Sequence, residues 1–264
     1  MSNAALETIS GNLYDYPRYY DLVFGSDWKA EFDFLTDCFE KHASGIVQRL
    51  FEPACGTGRL LYRFAKAGFD VSGLDLNESA ISYCNERLTR NGFPASCFVG
   101  EMAAFRLPQA VDAAFNTINS FRHLATEDAA RNHLQCVADS LRTGGLYVLG
   151  LHLTPLAAEP VQDESWSAAR GHLRVNSHLW ITDRDLRSRQ ERCAMTYDVY
   201  TPTRSFRIAG SLTFRTYTAA QMERLLQDVK GLEIVTTYDF AYHIEQPIQV
   251  GPGTEDVVYV LRKA

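Results

Sequence analysis

A chain of 264 residues with 46% hydrophobic side chains can bury a full core without disulfide or metal staples. Its net charge of −6 lacks the basic footprint of a protein that grips nucleic acid, so no nucleic-acid partner is expected. No apolar run reaches the ~18 residues of a membrane span, and residues 1–11 show no basic stretch followed by an apolar run, so neither a membrane helix nor a signal peptide is expected.

Residues 1–11 read as a frayed terminus. From Tyr14 to Phe39 apolar and aromatic side chains recur at helical spacing, with Phe32, Leu35 and Phe39 on one face, which predicts one or two helices. Strands and helices then alternate. Strands are expected over 47–52, 70–75, 95–99, 111–116 and 146–153. Helices are expected over 58–67, over 77–89 with Asn77 as N-cap, and over 127–141 capped by Thr126. Gly144, with its freedom at positive φ, ends the last of these. After 153 the pattern changes. Residues 154–169 read as loop, and three segments between Leu173 and Phe214 alternate with period two, predicting a three-stranded antiparallel sheet with one wet face. A helix over 218–229 and strands over 232–238 and 256–261 complete the chain. The expected fold is α/β, a doubly wound, seven-stranded, mostly parallel sheet with a three-stranded antiparallel insertion after the fifth strand. The corresponding units are a helical lid over 1–45, a Rossmann-like core over 46–153, the insertion over 154–216 and a completion of the core sheet over 217–264.

The segment Leu50-Phe51-Glu52-Pro53-Ala54-Cys55-Gly56-Thr57-Gly58-Arg59 reads as a strand that ends in a glycine turn and opens a helix. Gly56 and Gly58 let backbone approach a ligand closely, and a helix starting near Arg59 points free N–H groups above the strand. A dinucleotide fingerprint wants a third small residue, where this chain has Leu61. Glu52 would repel a pyrophosphate and suits a ligand that carries an ammonium group. Asp75 closes the next strand, 17 positions beyond Gly58, near the spacing of about 20 at which an acid binds ribose hydroxyls. Nicotinamide enzymes share that spacing, so Asp75 supports a Rossmann-like site without choosing its cofactor. The six cysteines show no C-x-x-C pair and no metal-type pairing with histidine, which reads as reduced cytoplasmic thiols and no metal site.

The pattern Glu52-x-x-x-Gly56-x-Gly58 resembles the first motif of class I S-adenosylmethionine (SAM)-dependent methyltransferases. With Asp75 and the late insertion, the chain resembles the small-molecule members, in particular glycine N-methyltransferase-like and nucleotide-sugar N-methyltransferase enzymes. The resemblance implies SAM as cofactor, S-adenosylhomocysteine as product and no metal. It implies that Glu52, Ala54, Gly56 and Gly58 hold the methionine end, with Arg59 beside it. Asp75 would bind the ribose, Leu76 would flank the adenine, and Glu101 and Met102 would stand at the adenine. Asn116 opens the segment 116–124 that lies beside the transferable methyl in such enzymes. An Asn-Pro-Pro-Tyr signature is absent there, which again argues against a base as acceptor. His123 is the imidazole in that segment and suits proton removal from the attacking group. Tyr20 and Trp28 would close over the sulfonium, where an aromatic face is favourable, and Tyr20 joins His123 as a catalytic candidate.

The expected activity is methyl transfer to a nitrogen or oxygen of a small metabolite. The alternative is a non-catalytic sensor or partner subunit that binds SAM or its product. Residues 170–215 hold nine arginines and four acids, a local charge of +5. Those arginines either pair with acids of the parent domain or form a surface for an anionic acceptor or a second copy, a homodimer.

Overall fold

The computed structural model describes residues 6–156 and 163–264. The first of these form a short strand, β1 (Glu7–Ser10), and two helices, α1 (Pro17–Phe24) and α2 (Lys29–His42). Then β2 (Arg49–Pro53), α3 (Leu61–Lys66), β3 (Asp70–Asp75), α4 (Glu78–Arg90), β4 (Cys97–Val99) and β5 (Val111–Asn116) follow. Next come α5 (Glu127–Ser140) and β6 (Leu141–His152). Four long strands follow, β7 (Asp163–Arg170), β8 (Leu173–Asp185), β9 (Gln190–Tyr200) and β10 (Ser205–Arg215). The chain closes with α6 (Ala219–Asp228), β11 (Leu232–Tyr238) and β12 (Asp256–Lys263). Side chains start three helices by accepting orphan N–H groups: Asn77 from Ala80, Thr126 from Ala129, and Thr218 from Gln221 in a full capping box.

Seven strands form the expected doubly wound sheet, in the order β11-β12-β6-β5-β2-β3-β4. The five from β6 to β4 are parallel, and β12 runs antiparallel between β6 and β11. Alternate residues of β6 serve opposite faces. Tyr147, Leu149 and Leu151 pack with α5 and α6, and Leu146 and Val148 pack with α2, α3 and α4. Burial on both faces is why these strands read as near-continuous apolar runs. Among the described residues no helix is long and apolar enough to cross a membrane.

The second sheet is larger than the sequence suggests. Its order is β1-β10-β9-β8-β7, with four antiparallel strands where three were expected. The added strand β7 lies in the stretch read as loop, whose inward positions are Trp166 and Ala168 among serines and acids, too polar to show alternation. Residues 157–162 of that stretch, and 1–5 of the expected frayed terminus, lie outside the described residues. Residues 7–10, also read as frayed, pair in parallel with β10. A further difference concerns β6. Leu141 already bridges to Val111, and residues 142–145 form an irregularity in the strand in place of a turn before it. Gly144 adopts φ +76° there, and a Cβ would meet that of Ser44 at 2.5 Å.

Above β2 the chain turns through three left-handed residues, Ala54 (φ 57°), Gly56 (φ 52°) and Gly58 (φ 64°). Helix α3 therefore starts at Leu61, three residues later than the 58–67 expected. Opposite this turn, His133 of α5 is fully buried. Its Nδ1 lies 2.9 Å from the Met102 carbonyl, which can only accept, so Nδ1 carries the hydrogen; Nε2 then accepts from the Tyr147 hydroxyl at 2.7 Å. Burial pushes its pKa down to about 4, against the pull of the Met102 carbonyl.

The folded protein thus holds His133 neutral, while the unfolded chain protonates it below the ordinary histidine value. Stability falls as pH drops through the window from about 6.5 to about 4. His133→Gln should remove ~2 kcal/mol of the stability difference between pH 7 and pH 5, measured by urea unfolding. Ala54→Gly should raise stability by about 1 kcal/mol in the same assay, because it relieves a left-handed alanine; a loss would mean that the Ala54 methyl packs better than its backbone strain suggests.

Candidate functional site

The carboxyl ends of β2, β3, β5 and β6 open into one cavity of about 1010 Å³ between the two sheets. Its floor is the glycine turn. The Cys55 N–H donates to the Leu74 carbonyl at 2.9 Å, which ties the turn to the end of β3. Asp75 accepts the Gly56 N–H at one oxygen and the Asn77 N–H at the other, both at 2.8 Å. Burial pushes the Asp75 carboxyl up, and these two donors pull it back. Each oxygen keeps a lone-pair direction for a hydroxyl donor in the cavity. A Cβ at Gly56 would touch only the Tyr20 ring, at 3.9 Å, so glycine serves its backbone conformation. At Gly58 a Cβ would lie 2.2 Å from the Cys84 sulfur, so there glycine is required by packing.

Beneath the turn lies a buried charged group. Arg59 is bound by Glu31 of α2 at 2.6 Å, and the Thr117 hydroxyl also donates to Glu31. Burial opposes the charge of Arg59, and Glu31 and Glu52 more than offset it. Glu52 is 7% exposed and its Oε2 has no partner; Nη1 of Arg59 and Oδ1 of Asn116 are likewise buried without one. Burial pushes the Glu52 carboxyl well above the usual range, with Arg59 pulling the other way. An unpaired carboxylate oxygen and an unpaired guanidinium N–H are the complements of a ligand's ammonium and carboxylate. The donor set therefore fits the amino-acid end of SAM, and Asp75 fits its ribose.

On the opposite wall, the Tyr14 hydroxyl lies 2.9 Å from Nε2 of His123. His123 lines the cavity, and burial of its ring among the surrounding protein atoms, with the Arg122 guanidinium, lowers its pKa to about 4. Burial pushes the Tyr14 phenol up, so it stays protonated and donates to Nε2.

Of the residues singled out in the sequence, Tyr20, Ala54, Gly56, Asp75, Leu76, Met102 and His123 line the cavity. Glu52, Gly58, Arg59 and Asn116 sit behind that lining, buried. Trp28 does not reach it. Its ring stacks under the Arg63 guanidinium at 4.3 Å and meets Phe32 edge-on. The neighbouring Asp27, Ala30 and Glu31 face the cavity instead. Glu101 is exposed and accepts the Ala103 N–H at 3.3 Å, closing its own turn, while Met102 forms the wall.

Three features escaped the sequence reading. Tyr14 was one of a group of aromatics with nothing to separate it. Glu31 reads as an ordinary first-turn acid of α2. His152, at the end of β6, holds Asp256, at the start of β12, at 2.6 Å on the cavity wall, and that pair joins strand tips 104 residues apart. The cysteines also differ from expectation: Cys55, Cys84 and Cys97 converge beneath the turn despite lacking metal-type spacing.

Comparison with known proteins follows the same segments. Residues 51–145 match the family described as "Methyltransferase domain". A putative methyltransferase of Geobacillus sp. (strain WCH70) is 24% identical over 166 residues, covering 62% of this chain and 66% of that protein, slightly less than two thirds of its length. The dTDP-4-amino-2,3,4,6-tetradeoxy-D-glucose N,N-dimethyltransferase of Saccharopolyspora spinosa is 26% identical over 228 residues, covering 83% and 88%. The crystal structure of an S-adenosylmethionine-dependent methyltransferase from Clostridium acetobutylicum shares the fold with a TM-score of 0.77 at 16% identity, over 96% of this chain and all of that one. The domain match falls on the strands that build the turn, and along nearly its whole length the chain shares the fold of a class I, Rossmann-like, SAM-dependent methyltransferase.

Proposed function

We propose that the protein transfers a methyl group from SAM to an amine nitrogen of a small polar metabolite. The observation that carries this reading is one continuous cavity with the cofactor floor at one end and the Tyr14–His123 pair at the other. At about 1010 Å³ it is at the upper end of small-molecule sites and has room for two molecules. An amine is favoured over a hydroxyl by the weakly basic imidazole, since a neutral amine attacks without prior deprotonation. The carboxylates of Glu164 and Asp256 on the cavity wall support the same choice, and the relative from Saccharopolyspora is an N,N-dimethyltransferase.

When bound, SAM supplies an activated methyl on a sulfonium, so the protein has no electrophile to build. Its residues bind, orient and exclude water. Asp75 takes the ribose, and the unpartnered polar atoms of Glu52 and Arg59, buried behind the turn, give the charge complement of the amino-acid end. The Tyr20 ring, beside Gly56, gives an aromatic face to positive charge. Tyr14 donates to His123, which leaves its oxygen lone pairs free to take an N–H of the acceptor and aim the nitrogen at the methyl carbon. Neutral His123 adds no repulsion to the cationic ground state. The proton released after transfer leaves through Tyr14 to His123 or to solvent.

The reading is tested by incubating the protein with methyl-labelled SAM and a panel of aminosugar nucleotides and small amines. Transfer of label with stoichiometric S-adenosylhomocysteine is expected. SAM bound by calorimetry with no transfer across the panel would favour the non-catalytic alternative. Asp75→Ala should weaken SAM by ~1–3 kcal/mol through lost charge-assisted hydrogen bonds, read by calorimetry. Tyr14→Phe should lower kcat about tenfold or more with SAM affinity unchanged, since the loss lies in acceptor alignment; a purely structural Tyr14 would move both or neither.

A further inference from the structure

A second cluster of reactive groups lies beneath the cavity floor. Cys55 belongs to the glycine turn, Cys84 to α4 and Cys97 to β4, and their three sulfurs lie within 4.8 Å of one another. Cys84 and Cys97 approach to 3.4 Å as free thiols. All three residues are buried, none more than 6% exposed. Apolar side chains of Leu61, Ile81 and Leu88 pack around them, and among the described residues no histidine or carboxylate joins the group.

We propose that these thiols form a site for a soft cation, monovalent copper, and that filling it weakens cofactor binding. Sulfur-only donors select copper(I), zinc or iron–sulfur clusters. A structural zinc takes four protein ligands, and an iron–sulfur cluster takes four cysteines. Three sulfurs in an apolar setting match the low coordination number that copper(I) accepts. Binding replaces thiol protons with the cation, the protons leave to solvent, and no electron moves.

The coupling follows from packing. With metal–sulfur bonds of about 2.3 Å, a trigonal site spaces its sulfurs about 4 Å apart. The Cys84–Cys97 pair, at 3.4 Å, has to open. Gly58 packs directly on the Cys84 sulfur, where a Cβ would fall at 2.2 Å, and Gly73 packs on that of Cys55, where one would fall at 2.9 Å. The turn has no slack to absorb the movement, so the ion and the cofactor compete through it. Linkage makes the effect reciprocal.

The site is independent of which acceptor is methylated; only the coupling rests on SAM as the ligand of the turn. The test titrates the reduced full chain anaerobically with copper(I) against bicinchoninate, first without SAM. One copper retained per chain is expected, with three sulfur neighbours by X-ray absorption of the wild type. Cys84→Ser and Cys97→Ser should lose it, and Cys136→Ser, outside the cluster, should keep it. One equivalent of copper should raise the SAM dissociation constant about fivefold or more. Surrender of all copper to the chelator, oxygen or nitrogen neighbours, retention by Cys84→Ser, or an unchanged SAM affinity would overturn the proposal. The absorption measurement uses wild-type protein, so a variant that fails to fold does not blur the answer.

Discussion

The site depends on one constraint: the chain has to leave the tip of β2 and re-enter as α3 without setting a side chain in the ligand's way. It does so through left-handed residues at Ala54, Gly56 and Gly58. That geometry turns the Gly56 N–H onto Asp75 and the Cys55 N–H onto the end of β3. Asp75 and the cavity floor are therefore one unit. Their close packing has a cost in tolerance, because Gly58 rests on Cys84 and Gly73 on Cys55 and Leu61.

The roof is held by charge. Asp21 of α1 is buried and bound to Arg87 of α4 at 2.5 Å, and it also accepts from Thr57 of the turn and Tyr83. The N-terminal helix is thereby fastened to the floor it covers. The second sheet is fastened by Arg122 with Glu191, and by Arg189 and Arg215 converging on Glu127 at the start of α5. Part of the arginine excess of residues 170–215 is spent on acids outside that segment, Glu127 with Arg189 and Arg215 and Glu7 with Arg204, whereas Arg184–Glu191 and Arg207–Asp198 pair within the second sheet. The buried pairs, Asp21–Arg87 and Arg122–Glu191, add little net stability, since desolvation offsets their attraction, but breaking one leaves an uncompensated charge. Their effect is to fix how the two sheets meet, and so to fix the cavity between them.

Glu52, Arg59 and Asn116 each keep a buried polar atom without a partner. A folded protein tolerates few such atoms, because each costs the desolvation of its group. A ligand that satisfies them binds the folded state alone and stabilises it by mass action. On the proposed reading, the zwitterionic end of the ligand supplies these partners, and the folded state gains stability when it binds. Glu31 keeps Arg59 charged and in place beforehand, which lowers the reorganisation that binding requires.

What could be read in the sequence was local. Strand β2, the glycine turn, Asp75 at the end of β3, and the caps Asn77, Thr126 and Thr218 are set by backbone sterics, by apolar period and by hydrogen bonds within a few residues. These identified the doubly wound fold and the cofactor class. Strand β7 escaped because it offers only two apolar inward side chains, Trp166 and Ala168, among serines and acids, and β1 because a four-residue strand exists only through the edge of β10 that it joins. The Tyr14–His123 contact, the His152–Asp256 pair, the seating of Trp28 on Arg63 and the gathering of Cys55, Cys84 and Cys97 were decided by tertiary structure alone. Each joins segments brought together by sheet order and by docking of the second sheet, and one-dimensional spacing carries no record of such proximity.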